Sequence, residues 1–63
     1  IMTKIIKVEF EGKIYDVEVE KLVYALNILE NGKVKDTEEE LRKLLDKYDL
    51  YDDIFLTTIN KLW

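Results

Sequence analysis

The chain has little to do covalent chemistry with. It contains no Ser, Cys or His. A nucleophile needs a base beside it, so serine-, cysteine- and histidine-based catalysis is excluded. Thr3, Thr37, Thr57 and Thr58 remain, with only Asp, Glu or Lys as partners, and Thr37 has a structural use as a helix cap. Without Cys and His, disulfides and the common zinc sites are excluded too. Paired carboxylates could do acid–base work. The densest acidic group is Asp46, Asp49, Asp52 and Asp53, with Tyr48 and Tyr51 between. The same group could hold a hard cation, but its spacing lacks the alternation, central Gly and terminal Glu of a calcium loop. It reads better as a solvated corner between two helices, with Asp49 capping the second. A phosphate cradle needs several glycines at fixed spacing; there are two in all, one for a turn and one for a cap. We therefore assign no catalytic residue, no cofactor and no metal, and expect a protein that is not an enzyme.

The elements around these residues are legible from periodicity. With 63 residues the chain is one domain, and one this small buries only roughly 60% of its unfolded surface. It is 48% hydrophobic and 38% charged, the composition of a packed domain rather than a disordered tail. Ile6, Val8 and Phe10 alternate with Lys7, Glu9 and Glu11; Tyr15, Val17 and Val19 alternate with Asp16, Glu18 and Glu20. Period two with β-branched and aromatic residues predicts a hairpin over about 3–20 with its turn at Glu11-Gly12. Pairing Val8 with Tyr15 and Ile6 with Val17 puts the large apolar side chains on one face and sets Lys7 opposite Asp16. Ile5 and Ile14 fall on the other, mostly charged face.

Three helices are expected to follow. The first runs over about 21–31, with Leu22, Leu26 and Leu29 as its inner stripe, Val23, Tyr24 and Ile28 outside it, and Asn31-Gly32 as its stop. A helix apolar over most of its circumference needs cover on two sides. The second, about 38–48, starts with a capping box from Thr37 to Glu40 and turns Leu41, Leu44, Leu45 and Tyr48 one way. The third, about 50–62, carries Leu50, Tyr51, Ile54, Phe55, Ile59 and Leu62, and Thr57 and Thr58 weaken it. Val34 could begin a short third strand. The expected fold is α+β: an N-terminal hairpin packed on the helices in the order ββααα, around one small core.

The net charge of −4 favours solubility and disfavours a basic nucleic-acid surface or adsorption to anionic membranes. No apolar run approaches a membrane span. No signal-peptide stretch opens the chain; Met2 reads as the native start, and the cytoplasm as the expected compartment. An acidic face of Glu9, Asp16, Glu18 and Glu20, with Glu38–Glu40, could imitate nucleic acid, although ten positive charges dilute it and solvated strand and helix-start residues explain it as well. Exposed apolar surface is the stronger signal. Tyr24, Ile28, Tyr51, Phe55 and Trp63 are the interface candidates, since aromatics anchor interfaces; Trp63 is expected to dock into the core or to face a partner. A homodimer would cover such a surface, and neighbouring hairpins could merge into a four-stranded sheet. In size and in its richness in Lys, Glu, Ile, Leu, Asp and Tyr, the chain is similar to many short proteins of bacteriophages and mobile elements. The expected function is a non-catalytic protein-binding module, such as an inhibitor that blocks a host defence protein. The alternative is a small nucleic-acid-binding regulator, for which Lys33, Lys35, Lys4 and Lys13 would supply the basic patch.

Overall fold

The computed structural model describes residues 3–62. Its order is β1 (Ile5–Phe10), β2 (Lys13–Glu18), α1 (Val19–Glu30), α2 (Glu38–Lys47) and α3 (Asp53–Lys61). This is the ββααα arrangement, a small α+β globule. Trp63 lies outside the described residues, as do Ile1 and Met2.

The hairpin has the register its alternation requires: Ile6 opposite Val17, Val8 opposite Tyr15, and Lys7 opposite Asp16. Glu11 and Gly12 both have positive φ, +51° and +81°. A two-residue turn of that hand matches the twist of the strands. Ile6, Val8, Tyr15 and Val17 are buried, while Ile5 and Ile14 face outward. Lys7 reaches Asp16 at 2.8 Å across the outer face. The outer edge of β1 is partly closed, because Arg42 of α2 donates from Nη2 to the Lys7 carbonyl at 2.7 Å.

The hairpin ends two residues before the expected boundary. Val19 gives its backbone N–H to the Lys4 carbonyl at 2.9 Å, which closes the ladder, and is also the first residue of α1. Its side chain is buried, so one residue continues the alternation and begins the helix. The inner stripe of α1 is Val19, Leu22 and Leu26. Leu29, expected on that stripe, lies in the last turn of α1 and is 47% exposed. Asn31 takes the left-handed conformation (φ +54°) that ends the helix. Asn27 then holds the connection to α2: its carbonyl accepts from the Gly32 N–H at 3.4 Å and its side-chain oxygen from the Val34 N–H at 2.8 Å. Val34 is therefore half-buried without forming a strand.

Thr37 caps α2, its Oγ1 accepting from the Glu40 N–H at 3.3 Å, and Leu41, Leu44 and Leu45 are buried. The next corner departs from expectation. Asp49 is not a helix cap; it sits at φ +54° just beyond α2. Its N–H donates to the Asp46 carbonyl at 3.2 Å and that of Leu50 to Leu45 at 2.9 Å. This double closure is a Schellman stop. The start of α3 moves three residues on, where Asp52 Oδ1 accepts from the Phe55 N–H at 2.7 Å. The helix then runs unbroken through Thr57 and Thr58. Its buried residues are Leu56 and Ile59. Leu56 was not among the residues expected there, and Ile54, which was, is 79% exposed. The buried side chains of all five elements form one cluster. No helix among the described residues is long and apolar enough to cross a membrane.

Candidate interaction surface

Both sides of α1 follow from helical geometry. With 3.6 residues per turn, burying Val19, Leu22 and Leu26 turns Glu20, Tyr24 and Ile28 to the opposite side. Tyr24 is 53% exposed and Ile28, one turn later, 67%. No charged residue occurs from Leu22 to Leu29, although more than a third of the chain is charged. An uncharged stripe with two large apolar side chains is what the centre of a protein interface looks like: depleted in charge and carrying an aromatic.

The other interface candidates are placed differently. Tyr51 and Phe55 are half-buried and pack against the core. The Tyr51 hydroxyl lies 3.4 Å from the Arg42 carbonyl, and burial raises its pKa. Neither shares a helix with Tyr24 and Ile28. Ile54 on α3 is the most exposed of the large apolar residues among those described.

The acidic candidates lie on the hairpin and the start of α1. Glu9, Asp16 and Glu20 are exposed and Glu18 is half-buried. Two are neutralised locally: Asp16 by Lys7, and Glu18 by Lys21 at 3.4 Å. Lys21 also donates to the Asn60 carbonyl at 3.2 Å, at the negative end of α3. Five of the ten basic side chains (Lys4, Lys7, Lys21, Arg42 and Lys47) stand beside a carboxylate. Lys4, one of the basic-patch candidates, is paired with Asp36 at 3.7 Å.

The aspartates between α2 and α3 are used one by one. Asp49 ends α2, Asp52 caps α3, and Asp53 accepts a hydrogen bond from the Tyr15 hydroxyl. Among the described residues no group of three or more acidic side chains gathers to hold a metal ion, and no pocket opens. The Tyr15 bond was not foreseen. It joins β2 to α3, and it raises the Tyr15 pKa to about 12, with burial and the charges of Asp53 and Glu11 adding to the effect. A second cluster closes the opposite corner. Glu30 at the end of α1 accepts from Lys47 at 2.8 Å and from the Tyr48 hydroxyl at 2.6 Å. The Lys47 and Tyr48 bonds, in that order, lower the Glu30 pKa, and the bond to Glu30 raises those of both donors. Both clusters hold elements together and neither borders a cavity.

In comparisons with family models, curated proteins and solved structures, the chain matches none. Its surface and fold describe a class only: a small α+β globule with two large apolar side chains exposed one turn apart on α1.

Proposed function

We propose that this chain is a non-catalytic protein-binding module that docks through the outer stripe of α1. One observation carries this: Tyr24 and Ile28 are exposed one turn apart, within a stretch from Leu22 to Leu29 that has no charged residue. Apolar side chains scattered singly over a surface need no explanation, whereas contiguous exposed apolar surface marks an interaction site. The size and composition are similar to those of short phage and mobile-element proteins, which supports the role of an inhibitor or regulator that covers part of a larger host protein. Half of the basic side chains stand beside a carboxylate, Lys4 of the basic-patch candidates among them, and the net charge is −4; both favour this reading over a nucleic-acid-binding regulator, which needs a continuous positive patch.

The test is a pull-down with the tagged chain and with Ile28→Glu, each with and without nuclease. Retention of a stoichiometric, nuclease-resistant protein by the native chain and its loss with Ile28→Glu is the expected result. Capture that disappears with nuclease would overturn the reading in favour of the nucleic-acid one.

A further inference from the structure

The stripe on α1 is flanked by one unpaired charge of each sign. Glu20 stands before it in the first turn and Lys33 after it, just past the helix end; both are exposed, and neither makes an ion pair among the described residues. The acid and the apolar pair thus follow one another along a helix of 12 residues, about 18 Å long, and the base stands just beyond its end.

That order is complementary to itself when reversed. Two α1 helices laid antiparallel, with a two-fold axis midway between Tyr24 and Ile28, set Tyr24 of one copy against Ile28 of the other, and the reverse. Glu20 is six residues before that midpoint and meets the second copy's Gly32–Lys33 segment. A two-fold interface repeats each contact, so the pairing would give two Tyr–Ile contacts flanked by two Glu–Lys pairs. A parallel arrangement would place Glu20 beside Glu20 and Lys33 beside Lys33.

We propose that the occupant of the α1 stripe is a second copy of this chain, docked antiparallel through Tyr24 and Ile28 in a register set by Glu20 and Lys33. This rests on the docking role of the stripe and adds its occupant in the free chain; a larger protein docking on the same stripe would displace the second copy. Peripheral charges of this kind select register and partner more than they add affinity.

Sedimentation equilibrium over a range of concentrations tests it. The native chain is expected to move from 7.6 kDa to twice that mass. Ile28→Glu, at a position already exposed, should keep its helical circular dichroism and remain a monomer. Glu20→Lys and Lys33→Glu should each weaken the dimer about tenfold, because each makes two attractive pairs repulsive. The double variant should recover native affinity, which a merely structural role for either residue would not produce. A native chain that stays monomeric, a dimer that tolerates Ile28→Glu, or a double variant no tighter than the singles would each overturn the proposal. If the chain is monomeric and Ile28→Glu still abolishes capture of another protein, the docking role stands and the self-pairing alone is wrong.

Discussion

Phenols in water titrate near pH 10, and the Tyr15 hydroxyl is held well above that by the carboxylate it donates to. The neutral form is favoured in the folded chain, so this contribution to stability is complete below pH 10 and is lost as the pH rises towards about 12. Urea denaturation across that window should therefore show a falling midpoint, and a smaller fall in Tyr15→Phe. An equal fall in both would mean that the Asp53 bond does not stabilise the fold. The two aspartates between α2 and α3 also separate at this scale. Asp52→Ala removes a helix cap and should cost about 1 kcal/mol. Asp49→Gly relieves a left-handed backbone and should be neutral or slightly stabilising. Denaturation midpoints that ranked the two the other way would contradict this assignment of the corner.

The elements show which local signals are sufficient. The hairpin register was fully legible, because a slip of one residue would turn every apolar side chain of a strand to the wrong face. The caps at Thr37 and Asn31 were legible because short-range hydrogen bonds define them. Helix α3 was harder. Its apolar residues cover a broad arc, and periodicity alone permits either Ile54 or Leu56 to face inward. The packing of α3 against β2, with Asp53 at Tyr15, turns Leu56 in. Leu56→Ala should cost about 2–5 kcal/mol, a large share of the roughly 3–9 kcal/mol expected of a chain this long. Ile54→Ala should stay within about 0.5 kcal/mol. Thermal unfolding distinguishes them, and similar losses for both would contradict the observed rotation of α3.

For the whole molecule, stability depends on ties between distant parts of the chain. Glu30, Lys47 and Tyr48 fasten the end of α1 to the end of α2. Because the Glu30 pKa is lowered, the ionised carboxylate is favoured in the folded state. Its contribution is present above the ordinary carboxylate range and is lost as the pH falls through the lowered value. Glu30→Gln should therefore show a shallower decline of urea midpoint on acidification than the native chain. An unchanged slope would mean that other carboxylates carry the acid sensitivity. This salt bridge is on the surface, so added salt should also narrow the difference between the two.

The sequence by itself determined the exclusion of serine, cysteine and histidine chemistry, the ββααα order, the hairpin register and the caps at Thr37 and Asn31. Each depends on residue type or on spacings within a few positions, where covalent geometry allows few outcomes. The tertiary structure decided which side of a broadly apolar helix is covered. It buried Leu56 and left Ile54 out, packed Tyr51 and Phe55 partly into the core, and left Tyr24 and Ile28 exposed on α1. Those outcomes depend on where one layer ends beneath another, and the packing of residues far apart in the chain sets that limit.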